Sequence, residues 1–172
     1  MIELDFELEA DAKGPGGPYP DLWVNEIQLG SFEGLQTFIV NDLDLSGPLP
    51  ILGFARNLRV IANLLAKIRI GEQEYYDLSS EWVIKFRADG ETVEISDIRG
   101  RSSISLDEFQ EAARKYAERV YTVCHRISPD ILDSEFVQDW WNNDDWFPEL
   151  FEPKSTDRSS LTPKHPFYEG PK

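Results

Sequence analysis

Ser80 to Ile98 reads SEWVIKFRADGETVEISDI, two runs of β-forming residues on either side of Asp89-Gly90. Asp-Gly tolerates the positive backbone angles of a tight two-residue turn, so the stretch predicts a hairpin, with strands over Ser80–Ala88 and Glu91–Ile98. Working outward, Ser105 and Glu108 form a capping box, and Ile104 and Phe109 stand where a hydrophobic staple would. A helix is expected from there, burying Phe109, Ala113, Tyr116, Val120, Val123, Cys124 and Ile127 and ending at Ser128-Pro129. Upstream, Ile51, Phe54, Ala55, Leu58, Ile61, Ala62, Leu65 and Ile68 recur at helical spacing between Pro48 or Pro50 and Gly71. The other face of that helix carries Arg56, Arg59 and Lys67, charge that would serve acidic neighbours or remain in water.

The first residues alternate without a fault. Ile2, Leu4, Phe6, Leu8 and Ala10 fall on one side and Glu3, Asp5, Glu7 and Glu9 on the other, the pattern of a half-buried strand. Gly14–Pro20 (GPGGPYP) breaks it as a loop. Leu22–Leu29 and Leu35–Leu43 read as two more strands, joined as a hairpin around Glu33 and Gly34. Pro129, capped by Ser128, opens a third short helix running toward Trp141 or Asn142. The expected fold is α+β: a mostly antiparallel five-stranded sheet with two main helices on one face, a third short helix and an extended C-terminal tail. One domain spans residues 1–152, and residues 153–172 form the proline-rich tail, with Phe151, Phe167 and Tyr168 as its expected anchors. No internal repeat is visible.

Charge is unevenly placed in this chain of net charge −15. Residues 1–55 hold ten acids against Lys13 alone, residues 56–127 twelve against twelve, and residues 128–172 ten against four. A phosphate binder needs cations to displace counterions, so nucleic acid and anionic membrane are disfavoured as partners and a basic protein is favoured. No apolar run reaches the roughly 18 to 20 residues of a membrane span, and the acidic start MIELDFELEA is unlike a secretory signal. With a single cysteine, Cys124, the expected location is cytoplasmic.

Motifs of catalysis are absent: no phosphate loop, GxSxG, HExxH or dinucleotide fingerprint occurs, and no catalytic residue or cofactor is expected. Asp42, Asp44, Ser46 and Gly47 match the opening of a calcium loop, but its twelfth position is Gly53 where a glutamate is required, so no metal site is expected. Cys124 and His125, about 100° apart on a helix, do not pair as nucleophile and base. The acidic row of Glu3, Asp5, Glu7 and Glu9 repeats about every 6.8 Å, comparable with phosphates along an extended nucleic-acid strand, and it equally protects a sheet edge from aggregation.

Ser128–Glu152 is the most distinctive segment. It has eight carboxylates, no lysine or arginine, and Phe136, Trp140, Trp141, Trp146, Phe147 and Phe151 among them. Phe136, Val137, Trp140 and Trp141 share a helix face that packs inward, while unneutralised acids beside large rings suit docking to a cation. Asp139, Trp140, Asp144, Asp145, Trp146 and Glu149 are the expected partner-binding residues, with Glu3, Asp5, Glu7 and Glu9 as a second acidic stripe.

By its size, acidity, element order and Phe136–Phe151 stretch, the chain resembles the small acidic α+β immunity proteins of bacterial contact-dependent and other polymorphic toxin systems. The resemblance implies a class of role, neutralising a basic toxin such as a nuclease without catalysis, and assigns no residue by position. A structural or adaptor subunit of a larger assembly, with the tail wrapping a neighbour, is the alternative; a carboxylate-based hydrolase is the third.

Overall fold

The computed structural model describes residues 1–10, 32–77 and 80–144. They form an α+β fold with two four-stranded antiparallel sheets in place of the single five-stranded sheet expected. In sheet 1, β1 (Ile2–Leu8) pairs with β2 (Glu33–Val40), whose other edge holds two short strands, β3 (Leu43–Asp44) and β4 (Gly47–Pro50). Helix α1 (Ile51–Ile68) follows. Sheet 2 is a meander of β5 (Ile70–Asp77), β6 (Trp82–Asp89), β7 (Thr92–Asp97) and β8 (Gly100–Ser105), and then come α2 (Leu106–Ile127), α3 (Pro129–Leu132) and α4 (Glu135–Asn142). Of the sequence expectations, the loop at Gly14–Pro20, the strand at Leu22–Leu29 and the tail lie outside the described residues.

Four strands, β3, β4, β5 and β8, were not expected, and for three of them the reason is physical. β5 reads IGEQEYYD and has only Tyr75 as an apolar buried residue; β8 reads GRSSIS and buries only Ile104. Neither shows the apolar alternation that marks a strand. β4 contains Pro48 and Pro50, which the edge position of that strand tolerates because no donor is needed on the open side.

The central hairpin forms with its turn moved by one residue. Asp89 and Thr92 are the closing pair, so Gly90 and Glu91 are the turn, and a positive φ at Gly90 alone (77°) is the type II′ pattern. That turn braces both main helices: Gly90 N donates to Arg69 O (2.8 Å) at the end of α1, and Leu106 N to Glu91 O (2.8 Å) at the start of α2. α1 is terminated by Arg69 in the left-handed region (φ 63°), two residues before the expected Gly71. At the start of α2 the capping Ser105 Oγ accepts from Glu108 N (3.4 Å).

Both helices pack on the sheets through one contiguous core. Phe54 of α1 is its aromatic hub, with ring centroids 4.8 Å from Tyr75 of sheet 2, 6.2 Å from Phe38 of sheet 1 and 6.3 Å from Tyr116 of α2. Off-centre and edge contacts of this kind add about 0.5–1.5 kcal/mol each beyond burial. Asn41, in the turn after β2 with φ 53°, joins the sheets: its Nδ2 donates to Ser102 Oγ (2.8 Å) and Ser103 O (3.1 Å) of β8. Among the described residues no helix is long and apolar enough to cross a membrane.

Candidate protein-docking surface

The acidic aromatic segment is docked onto the body by the chain's own arginines. The single helix expected from Pro129 is two, interrupted at Asp133-Ser134, where Ser134 Oγ accepts from Val137 N (3.4 Å) and restarts the chain as α4. The last turn of a helix leaves carbonyls without partners. Two side chains of α1 supply them. Arg56 Nε donates to Trp140 O (3.1 Å) and its Nη2 to Asn143 O (2.8 Å), while Arg59 Nη2 donates to Trp141 O. The same guanidinium groups lie over the rings, Arg56 5.3 Å from Trp140 and Arg59 4.7 Å from Trp141. Burial, and then repulsion by Arg59, pushes the Arg56 guanidinium down to about 10; burial lowers Arg59 as well, against the raising effect of Asp144.

Trp140 is therefore core, 1% exposed, and Trp141 is 7% exposed. The expectation that Trp140 offers its ring to a partner is corrected: the helical spacing that put it beside Trp141 faces it inward. Asp144 is exposed but not uncompensated, since it faces Arg59 (3.4 Å) and Asn63 Nδ2 (3.2 Å). Asp133 pairs with His125 (2.8 Å). Glu135 and Asp139 are exposed on α4 without an ion pair among the described residues, and with Ser134 and Phe136 they line an open cleft of about 660 Å³. Asp145, Trp146 and Glu149 lie outside the described residues.

The stripe at the start of the chain forms as read. On β1 the apolar Ile2, Leu4, Phe6 and Leu8 pack on the core, and Glu3, Asp5 and Glu7 face solvent, with Glu9 exposed just beyond the strand. The register places Glu3 beside Ile39, Asp5 beside Thr37 and Glu7 beside Leu35. Helices occupy the opposite face, where Phe6 meets Tyr116 and Phe38 meets Phe54. Leu35 is 53% exposed and has Pro48 as its partner on the far side. Among the described residues this sheet face sets a row of Leu35, Thr37 and Ile39, with Leu35 exposed and the other two half-buried, beside an acidic row. Only Asp5 of that acidic row has an ion pair among the described residues, with Arg119 (2.8 Å), which also donates to Leu4 O (3.0 Å) and so covers part of the edge of β1 that no described strand pairs.

Sheet 2 provides the contrast. On its outer face Glu74 pairs with Lys85 (3.3 Å), Glu94 with Arg101 (3.8 Å), and Arg87 stands in register between Glu72 and Glu94. That face sets three bases, Lys85, Arg87 and Arg101, among four acids, Glu72, Glu74, Asp89 and Glu94. Where the two sheets meet, Ser46, Pro48, Ser80, Trp82, Asp97 and Arg99 line a smaller cleft of about 320 Å³. Asp97 accepts from Trp82 Nε1 (3.0 Å) and Arg99 Nε (2.7 Å), and Arg99 lies 5.0 Å over the Trp82 ring, so these groups are engaged with one another.

Two other side chains singled out in the sequence, Cys124 and Asp44, are held in structural roles. Cys124 is buried and its thiol is pushed up to about 12 by burial. Asp44 accepts from Ser46 N (2.8 Å) in the turn between β3 and β4, which leaves the calcium-loop likeness a turn. Among the described residues no group of three potential metal ligands occurs. Sequence reasoning missed Leu35, Thr37 and Ile39 as the neighbours of the stripe, although their alternation with Gly34, Gln36, Phe38 and Val40 was there to be read. It also missed the arginines as caps, since Arg56 and Trp140 are 84 residues apart. No family model, no curated protein and no solved structure matches the chain.

Proposed function

We propose that the chain is a non-catalytic acidic binding protein, an immunity protein that neutralises a basic toxin by covering its active surface. The observation that carries the reading is the solvent face of sheet 1, where Glu3 and Glu7 have no ion pair among the described residues, Glu7 beside the exposed Leu35 and Glu3 beside Ile39. Acids at that position speed the capture of a cationic protein, and Leu35 and Ile39 supply apolar area whose burial slows release. Glu135 and Asp139 on α4 extend the negative field to a second face. A nuclease is the toxin class that this charge suits, because its substrate groove must itself be cationic to hold phosphates.

The test is capture from native extract of its source at about 50 mM and about 300 mM salt, with wild-type chain and with Glu3→Lys/Glu7→Lys. A basic protein retained at low salt, released at higher salt and lost in the variant supports the proposal, and its activity should fall on addition of the wild-type chain. Retention of the same proteins by both chains at both salt concentrations would refute it.

A further inference from the structure

The solvent face of sheet 1 has a shape as well as a charge. β2 is hydrogen-bonded along one edge to β1 and along the other to β3 and β4, so a segment lying across its face gains no backbone hydrogen bonds from the sheet. Such a segment must satisfy its own amides and carbonyls, which a helix does and a lone extended strand does not. Leu35, Thr37 and Ile39 form a seam that advances about 6.8 Å per step, twice the rise of a strand. Glu7, Asp5 and Glu3 run beside it at the cross-strand separation of about 5 Å. On the far side Pro48 stands opposite Leu35 and Asp44 opposite Ile39, so the acidic row is continuous on one flank only.

From this juxtaposition we infer that the solvent face of sheet 1 receives an amphipathic helix of the partner protein, with its apolar stripe on Leu35 and Ile39 and lysines or arginines along the flank that meets Glu3 and Glu7. The inference rests on the proposed function and names the element of the partner that docks. The dimensions agree. Cations at i and i+8 of a helix lie about 12 Å apart along its axis, and Glu3 and Glu7, the carboxylates of the row without an ion pair among the described residues, about 13.6 Å apart. Flexible lysine stems absorb the difference. A helix with cations on both flanks would place one set against Pro48 and lose the match, so the one-sided row fixes the direction in which the helix is rolled.

The test uses the full chain and two labelled 18-residue peptides of leucine and lysine with identical composition. One is patterned with an apolar stripe and lysines at i, i+4 and i+8 on one flank; the other is scrambled so that no helix face separates them. Fluorescence anisotropy at about 150 mM salt should show the patterned peptide binding at least tenfold more tightly than the scrambled one. Glu3→Lys/Glu7→Lys and Leu35→Asp should each weaken it tenfold or more, with circular dichroism of the chain unchanged. Glu72→Lys/Glu91→Lys, the same charge change on sheet 2 and its turn, should alter it less than twofold. Equal losses in both double variants, or equal binding of both peptides, would reduce the effect to non-specific charge and overturn the inference. Tighter peptide binding by a full chain carrying Lys154→Glu, Arg158→Glu and Lys164→Glu would also overturn it, by assigning the face to the chain's own C-terminal residues. Capture of a basic protein through Glu3 and Glu7 without peptide discrimination would overturn the helix and leave the proposed function standing; failure of both would remove both.

Discussion

Replacing Arg56 by methionine keeps a straight, similarly long stem in place and removes the guanidinium that holds α4 against α1. The change deletes hydrogen bonds to Trp140 O (3.1 Å) and Asn143 O (2.8 Å) and a cation seated 5.3 Å from the Trp140 ring. Hydrogen bonds from a charged donor contribute roughly 1.5–3 kcal/mol each and the ring contact about 1 kcal/mol, a gross loss of about 4–7 kcal/mol. Against this stands the cost of keeping the charge buried. The guanidinium sits at about 10 where 12.5 is ordinary. At about 1.4 kcal/mol per pKa unit that difference is a penalty of roughly 3 kcal/mol, which methionine removes. The folded-state value lies below the unfolded one, so the penalty is fully present below about pH 10 and is relieved as pH rises toward the unfolded value. The balance at neutral pH is a destabilisation of about 1–4 kcal/mol, and for a chain of this length the melting temperature should drop by roughly 3–12 °C. Thermal melts by circular dichroism give the shift, and tryptophan emission should move to the red as Trp140 and Trp141 meet water. Arg56→Lys should fall between the two, since an ammonium does not fork to two carbonyls. A melting temperature within about 1 °C of wild type and unmoved emission in the methionine variant would refute the capping account.

Three further outcomes are expected. Gly34→Ala places a Cβ 2.2 Å from the carbonyl oxygen of Glu7 and 3.0 Å from Ile51 Cγ1, so β1 must move and stability should fall by about 1–3 kcal/mol or more, measured by urea denaturation. Cys124, buried and with its thiol near 12, should resist a thiol reagent at pH 8 in the native protein and react promptly in denaturant; fast native labelling would contradict the packing of α2. Burial pushes Asp97 up, but hydrogen bonds from Arg99 N, Trp82 and the Arg99 guanidinium outweigh it and hold the carboxyl below its ordinary value. Its contribution is therefore present above about pH 4 and lost as pH falls through the folded value, so Asp97→Asn should flatten acid destabilisation below pH 4, read from melts at a series of pH values.

The elements that were legible in sequence are those whose signal is local. β1 shows in the alternation of Ile2–Leu8, α1 in the spacing from Ile51 to Ile68, and α2 in the Ser105–Glu108 box, because in each a short window carries both the period and its limits. β5 and β8 were not legible because each has one face toward solvent and little apolar content on the other, being edge strands of the meander. Losing them turned two sheets into one. The acidic stripe was legible in the same way as β1 itself, as every second residue of an alternating run. What the segment around Trp140 does was only half legible. Its helical spacing pointed inward, yet the charge that satisfies its last turn comes from Arg56 and Arg59, which no window around α4 contains.

The two sheets make the same demand on their outer faces and meet it differently. Each is antiparallel with a helix-covered side, so packing requires polar residues at alternate positions and is indifferent to their sign. Sheet 2 uses both signs and pairs Glu74 with Lys85 and Glu94 with Arg101. Sheet 1 uses one. Carboxylates about 6.8 Å apart along β1 repel by about 0.6 kcal/mol per neighbouring pair in water, before screening by salt. Arg119 offsets this at Asp5 and leaves Glu3 and Glu7 as they are. Edge protection alone would be met as well by lysines on β1, or by the mixed charges that sheet 2 carries. A face that is destabilised in isolation by its own uniform charge, and that sets an exposed leucine beside that charge, gains from being covered by a cation with an apolar side. Reversing Glu3 and Glu7 should accordingly leave the isolated chain no less stable than wild type while abolishing capture of the proposed basic partner; a loss of stability in that variant would assign the acids to the fold instead.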